Sequence, residues 1–459
     1  MRFVVVLRAG LRAVLRAVLR AVVRFFDVAI VGYGPTGATL ANLLAQCDLS
    51  VVVIERNEVM YHLPRAVHFD DETMRIFQTV GVADPLSEKI RVNPGMRFVD
   101  YKKSVILEWP RPQEIGPQGW HASYRLHQPD LEQLLRAKLS GYSNAVVLNG
   151  TEVVNIEQYT KNVKFICRNI SDGHEHSLSA KYLVGCDGAN SLVRSTIGSD
   201  VDDLGFNERW LVVDLKLKRE RPDLGDYSIQ FCDPVRPMTY CRNPANRRRW
   251  EITMLEDETH EEVTRSDTIW KFLSPWVTAE DAELERTAVY TLQSVVANNW
   301  RKDRLFIAGD AAHLTPPFMG QGMCAGIRDA ANLAWKLALC IKGAANDDIL
   351  DICVVANDYR KKNITQYINL IGKCSKFSQE FQFHHYEFER WRRALENEMK
   401  CAYVEELEAR DEFLKSCLFT KELDEVLLEL EFRCRKPSSY HHLMRVRRFE
   451  CHEPTSLVL

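Results

Sequence analysis

Two hydrophobic rhythms take turns along the chain. Asp27–Val31 reads as a short buried strand, a helical pattern then runs to about Cys47, and Val51–Ile54 reads as a second apolar strand. Lys181–Gly185 and Arg304–Ala308 read as further strands, each followed by a turn and a helix. The first of these helices covers Asn190–Ile197. The second opens at Gly320-Gln321-Gly322 and closes at Gly343, a glycine just past a helix end. Between them, period-two alternation over Tyr227–Phe231 and Trp250–Met254 predicts antiparallel strands.

Both ends differ from this core. The first 26 residues hold six Arg and no acidic residue, so the remainder carries −9 against −3 for the whole chain. Arg recurs every fourth residue from Arg8 to Arg24, which makes the basic stripe spiral around a helix. No uncharged apolar run of 18 residues exists, so a transmembrane segment is disfavoured. A mitochondrial presequence, a membrane-surface helix and a low-complexity extension all stay open here. From about Phe377 the chain turns charged and helical, with Leu423, Val426, Leu427 and Leu430 at helical spacing. This tail reads as a packing appendage without chemistry.

Composition narrows the class. With 60 Lys+Arg, 63 Asp+Glu and 46% hydrophobic residues, the chain is globular. Disorder, collagen-like repeats and a nucleic-acid partner are excluded on the same grounds. The 13 cysteines contain no CxxC pair and no Cys/His zinc spacing, so no metal is expected. They read as buried thiols of a reducing compartment, which places the protein in the cytoplasm, or in mitochondria if residues 1–26 act as a presequence.

The chemistry begins at Gly32-Tyr33-Gly34-Pro35-Thr36-Gly37. This is GxGxxG between a strand and a helix, with Glu55 closing the next strand 18 residues after Gly37. Gly32 permits the tight turn, Gly34 lets backbone approach a pyrophosphate, and Gly37 lets the helix pack on the strand. The helix N-terminus offers free N–H groups to the phosphates, and Glu55 would accept from a ribose. The fingerprint alone does not separate FAD from NAD. Two more motifs follow: Asp187-Gly188 after the strand ending at Gly185, with Ser191 and Arg194 on the next helix, and Gly309-Asp310 after the strand ending at Ala308. Asp187 and Asp310 could equally be helix N-caps. His313 reads as a loop or packing residue.

GxGxxG, a DG motif and a GD motif in this order resemble the class A FAD-dependent aromatic monooxygenases. PRAVHFDDETMRIFQTVG, YRLHQPDLEQLL and RRRWEITML resemble the 3-(3-hydroxyphenyl)propionate hydroxylase branch, and the likeness covers roughly residues 27–371. The resemblance implies an α/β fold. A Rossmann-like FAD-binding domain of the glutathione-reductase type (27–95, 120–205 and 290–345) holds a β-rich substrate domain (96–119 and 206–289). Residues 1–26 form the Arg-rich extension, and 346–459 a C-terminal helical tail. It further implies that Gly32, Gly34, Gly37, Glu55 and the adjacent Arg56 hold the ADP half of FAD. Asp310, with Gly309, takes the ribitol, Asp187 sits by the pyrophosphate, and Arg125 and Gln128 lie in a segment touching FAD. The turn at Gly320 and Gly322 would aim N–H groups at the flavin. No second GxGxxG occurs in βαβ context, which fits NADPH or NADH docking transiently.

The implied reaction consumes O2. Reduced FAD forms a C4a-hydroperoxide that hydroxylates a phenolic or other aromatic small molecule. His68 is a candidate for the base that takes the phenol proton, with a structural histidine as the equal alternative. Met238 and Tyr240 are candidates for the substrate pocket wall, Tyr240 with a catalytic role, although both read at least as well as core residues of the sheet. Arg236, Arg242 and Arg247–Arg249 are available to a substrate carboxylate, although the last run reads better as a solvated loop end. Another flavin enzyme on this fold (a quinone-pathway hydroxylase, epoxidase or reductase) and an inactive flavin-binding relative are the alternatives. Monomer and homodimer both stay open.

Overall fold

The structure, a computed structural model, describes residues 25–354 apart from 234, 318 and 319. The Arg-rich stretch up to residue 24 and the tail beyond 354 lie outside the described residues.

A run of β-branched residues makes the strand Phe25–Val31 the centre of an eight-stranded sheet. It pairs in parallel with Val51–Ile54 on one side and Glu175–Gly185 on the other, and the sheet continues in parallel to Ala145–Leu148 and Leu305–Ile307. Such a sheet is buried on both faces, which explains the unbroken apolar runs. The strand starts two residues before the expected Asp27, and Lys181–Gly185 is the last part of a strand of 11 residues. The antiparallel strands Thr151–Gln158 and Val163–Asn169 lead into it as a meander. Helices Pro35–Gln46, Gln128–Leu139 and Gly322–Ile341 supply Leu40, Leu44, Leu135 and Leu337 to the core packed on this sheet.

A second sheet of eight strands is mostly antiparallel and contains the long strands Val201–Leu217 and Ala282–Ala297. Arg247–Thr253, Met238–Arg242 and Ser228–Phe231 follow in space, and Gly95–Val99 and Val105–Pro110 complete its edge. One face packs under the helices His260–Thr264 and Ser266–Leu273, through Val263, Ile269 and Leu273. The expectation for Arg247–Arg249 is corrected here. The run is a strand, with Arg248 at 5% and Arg249 at 2% exposure. A three-stranded sheet of His68–Asp70, Ser123–Arg125 and Arg91–Val92 completes the described strands.

Candidate functional site

The first strand ends in Gly32 at φ +101°, and the next helix starts at Pro35 with Gly34 as its N-cap. A side chain at Gly32 would collide with the Cys186 carbonyl, and one at Gly37 with the Gly32 carbonyl. The turn is therefore compressed against the strand end at Gly185. Gly34 is the opposite case: a Cβ there would meet nothing within 4 Å. No side chain caps this helix, so its first N–H groups face that open side. Buried Glu55 ties the turn down. It accepts from Tyr33 N at 2.9 Å with one oxygen, and from Asn57 N at 2.8 Å and Asn57 Nδ2 at 2.7 Å with the other. The first oxygen retains acceptor capacity for a ribose hydroxyl. Arg56 beside it is exposed.

The GD turn is brought to the same place by two glycines and a threonine. A Cβ on Gly309 would lie 2.7 Å from Thr36 Oγ1, and one on Gly326 would lie 3.1 Å from Gly309 Cα. Thr36 is the x before the last glycine of GxGxxG, so the first and third motifs touch directly. Asp329, on the helix Gly322–Ile341, accepts from Gly309 N at 2.9 Å and pairs with His313 Nε2 at 2.8 Å. His313 stacks on Trp300. Sequence reasoning missed Asp329; an acid on the buried face of an apolar helix was the available signal. Asp310 is solvent-accessible, yet surrounding protein desolvates it enough to raise its carboxyl pKa, against the lowering charges of His313 and Arg65. Accessibility combined with desolvation marks the wall of a recess.

In the DG motif the cap reading and the ligand position coincide in sequence, but the cap is what the geometry displays. Asp187 accepts from Ser191 Oγ at 2.6 Å and Leu192 N at 2.8 Å, and Ser191 caps the helix Leu192–Ile197 through Arg194 N at 2.9 Å. Burial raises the Asp187 carboxyl pKa, and these bonds oppose the rise. Arg194 reads as more than a surface residue: its Nη1 donates to Ala311 O at 2.9 Å, joining the second motif to the third.

The small sheet supplies the next wall. His68 is buried, with Nδ1 3.2 Å from Gly320 O and Nε2 2.8 Å from Ser123 Oγ. Burial, aided by the Arg125 charge, pushes its pKa down to about 3, so the imidazole is neutral near pH 7. Gly320 lies directly over the His68 ring, where a Cβ would be 2.7 Å from the His68 Cβ. His68 thus supports the turn that opens the helix at Gly322. Arg328 on that helix bonds Asp70 and Glu72 at 2.5 Å each. Gln128 is engaged by Ala66 N at 2.6 Å and Glu132 at 2.7 Å. Arg125 bonds Ser228 Oγ through Nη2, while its buried Nε has no partner.

Tyr240 and Met238 stand on the core side of the second sheet. Both pack in the core cluster of the second sheet with Trp250, Ile269 and Leu273, beneath the two helices. Side chains alternate along a strand, so Thr239, Cys241, Arg249 and Glu251 are on the opposite face. That face is the one turned to the FAD-binding motifs: Arg249 donates to Arg65 O at 2.6 Å and Pro64 O at 2.9 Å. Three of the candidate carboxylate partners are already engaged. Arg236 is held bidentately by Glu258 at 2.9 and 2.6 Å, Arg242 pairs with Asp226, and Arg249 holds Asp214 at 2.7 and 3.0 Å.

With this geometry in place, likeness to known proteins becomes informative. The chain matches the FAD binding domain family over residues 26–365 and belongs to it. It is 40% identical over 349 residues to a probable NADH-specific resorcinol 4-hydroxylase of Rhodococcus jostii, covering 76% of this chain and 65% of that protein. It is 37% identical over 326 residues to 3-(3-hydroxy-phenyl)propionate/3-hydroxycinnamic acid hydroxylase 2 of Burkholderia vietnamiensis, covering 71% of this chain and 58% of that protein. The chain thus spans under two thirds of the length of these relatives. Among solved structures, p-nitrophenol 4-monooxygenase of Pseudomonas putida shares the fold with a TM-score of 0.71 at 21% identity, covering 89% of this chain and 98% of that one. Aklavinone-11 hydroxylase, solved with FAD and aklavinone, gives 0.66 at 25% identity, covering 76% and 68%. The expected family and fold class hold.

The residues fit FAD. The open side of Gly34 leaves room for phosphate beside unpartnered helix N–H groups, and Asp310 offers an accessible carboxylate in a recess. The helix starting at Gly322 has no side-chain cap either, leaving its positive end available to the flavin. Among the described residues no group of His, Cys, Asp or Glu could hold a metal, and no helix is long and apolar enough to cross a membrane.

Proposed function

We propose that this chain hydroxylates a phenolic ring with FAD, NAD(P)H and O2. The observation that carries the reading is the junction of the three motif segments around Thr36, Gly309 and Ala311, in a chain whose similar relatives are phenol hydroxylases by name. FAD, once reduced by the nicotinamide, supplies the activated oxygen. The chain's own residues bind and orient. The first turn of Pro35–Gln46 takes the pyrophosphate, Glu55 and Asp310 take sugar and ribitol hydroxyls, and Asp187 shapes the neighbouring turn while capping its helix. Arg56 lies beside the ribose position. The Gly320 N–H is taken by Pro317 O at 2.8 Å, so the N–H groups of Gln321 and Gly322 at the helix start stabilise negative charge on the reduced ring, a contribution of about 0.3–2 kcal/mol from a helix end. His68, neutral and bonded at both nitrogens, holds this turn in place. We assign it positioning in preference to proton transfer. The substrate lies against the Thr239, Cys241 and Glu251 face of the second sheet, and Tyr240 acts from behind it by packing. A cytoplasmic setting belongs to the same reading.

The test is purification with FAD, followed by NADH and NADPH oxidation with resorcinol or 3-(3-hydroxyphenyl)propionate and analysis of the products. A hydroxylated phenol formed per nicotinamide oxidised supports the reading. Nicotinamide oxidation insensitive to every phenol would leave a flavin reductase or a flavin-binding relative. A chain that takes up no FAD would refute the reading at its base.

A further inference from the structure

The buried polar face of the second sheet contains one carboxylate held by a single long ion pair. Glu251 pairs in register with Val212 and Thr239 at the middle of the sheet. Its side chain is 11% exposed and stands 3.6 Å from Arg249 Nη1, a long contact. Arg249 is already satisfied by Asp214, which takes Nε and Nη2, and by the Pro64 and Arg65 carbonyls. Asp214 also has Arg286 Nη1 at 3.5 Å. Asp214 thus faces two cations, and Glu251 offsets the second charge only across its long contact to Arg249. Next to it comes Arg125, 8% exposed, whose Nε has no partner and whose charge is felt at both Glu251 and His68. Arg125 pairs in register with His68, the residue beneath Gly320. The Glu251 and Arg125 groups thus stand between the sheet and the edge where the FAD motifs converge.

We propose that Glu251 accepts the phenolic O–H of the substrate and takes its proton, while Arg125 Nε donates to the resulting phenolate oxygen. This rests on the hydroxylase reading above and names the base for it. The O–H bond breaks, its electron pair stays on the substrate oxygen, and a carboxyl O–H forms on Glu251. That pair activates the ring carbon toward the oxygen supplied at the flavin. After transfer the substituted carbon loses its hydrogen as a proton to water, and Glu251 returns its proton to the ring oxygen. The groups facing Glu251 are Arg249 on its own strand, Asp214 on Val201–Leu217, Arg125 on Ser123–Arg125 and Cys241 on Met238–Arg242. Desolvation raises the Glu251 pKa, with Asp214 adding to the rise and the two arginines opposing it. A higher carboxyl pKa narrows the gap to a phenol near 10 and makes the transfer easier.

The test uses the FAD-loaded chain with Glu251→Gln and Glu251→Asp. In Glu251→Gln, product formation from resorcinol falls about 10²- to 10⁴-fold, the usual worth of general base catalysis. Glu251→Asp recovers part of it and retains the acid limb of the pH profile. In the unsubstituted chain that limb falls as pH drops through the raised Glu251 pKa; in Glu251→Gln it is lost. A binding measurement stands apart from turnover. By flavin absorbance, the unsubstituted chain prefers resorcinol to its dimethyl ether by about 10- to 100-fold, the worth of a hydrogen bond to a charged group, and Glu251→Gln loses the preference. If no phenol is turned over, the hydroxylase reading fails while this preference still decides the anchor. Product formation by Glu251→Gln within twofold of the original, or an unchanged preference for the free phenol, overturns the proposal. If Glu251→Gln fails to fold, the unsubstituted chain decides: a pH profile without an acid limb, or no preference for resorcinol over its dimethyl ether, overturns the proposal.

Discussion

Replacing Arg249 with Met tests how the two sheets are held in register. The side chains of Arg249 and Asp214 are 3% and 2% exposed, so water does not screen the pair. The guanidinium makes two bonds to Asp214 and one each to the carbonyls of Pro64 and Arg65, which lie in the loop entering the small sheet. Removing one partner of a buried pair costs about 3–5 kcal/mol. Arg286, 3.5 Å from Asp214, moderates the loss by keeping a cation near the stranded carboxylate and a donor on Pro64 O, while Arg65 O loses its donor. Asp214→Asn should be at least as damaging, because it leaves Arg249 and Arg286 facing each other. Asp214→Leu combined with Arg249→Met removes both charges but leaves buried Arg286 and Glu251 without those partners, so it should recover only part of the loss. Urea unfolding of these three variants, of Asp214→Leu alone and of the unsubstituted chain, followed by tryptophan fluorescence and circular dichroism, gives the coupling directly. An Arg249→Met chain within ~0.5 kcal/mol of the original, the range of ordinary surface substitutions, would refute the clamp.

Three further outcomes are expected. Because His68 titrates at about 3 in the folded chain against 6.5 ordinarily, the unfolded chain binds the extra proton first; stability therefore declines as pH falls from about 6.5 toward 3, by up to ~1.4 kcal/mol per unit. His68→Gln should flatten that slope in urea unfolding, and an unaltered slope would count against a buried neutral imidazole. Gly326→Ala drives a methyl into Thr36 and should cost about 1–3 kcal/mol and weaken FAD binding in a fluorescence titration, with partial recovery when Thr36→Gly is added. Tyr240→Phe should keep phenol turnover within twofold and shift stability by no more than about 1.5 kcal/mol; a hundredfold loss of turnover would place Tyr240 at the reacting ring after all.

Local signals carried the fold where neighbours in sequence determine structure. Val51–Ile54 is a strand with the expected bounds, and Gly343 follows the end of the long helix at φ +72°. Both depend on a few adjacent residues, an apolar run and a left-handed glycine. Arg247–Arg249 misled for the complementary reason. Three consecutive cations look solvated, and nothing near them in sequence says otherwise. The burial of Arg249 is set by Asp214, 35 residues away, and by the carbonyls of Pro64 and Arg65, 185 and 184 residues away. The same distance hid Asp329, whose partners Gly309 and His313 lie on another element.

The side of the sheet on which Tyr240 stands was open in the sequence for a different physical reason. Alternation correctly predicts two faces for a strand, but only tertiary packing decides which face meets the FAD-binding domain. The composition of the faces nevertheless carried the answer. Met238, Tyr240, Trp250 and Ile252 form an apolar set, and such a set is completed by other apolar groups, here from the helices at 260–273. Thr239, Cys241, Arg249 and Glu251 form a polar set that is buried all the same. A buried polar face stands only if something polar meets it. Thr239 finds Gln230 at 2.7 Å, and Arg249 finds Asp214 and the loop carbonyls. Glu251, held only by a long contact, and Arg125, with its unpartnered Nε, are the members for which the fold supplies least. In an enzyme that must hold a small aromatic alcohol, the polar groups least satisfied by the fold are where the substrate's own hydroxyl belongs.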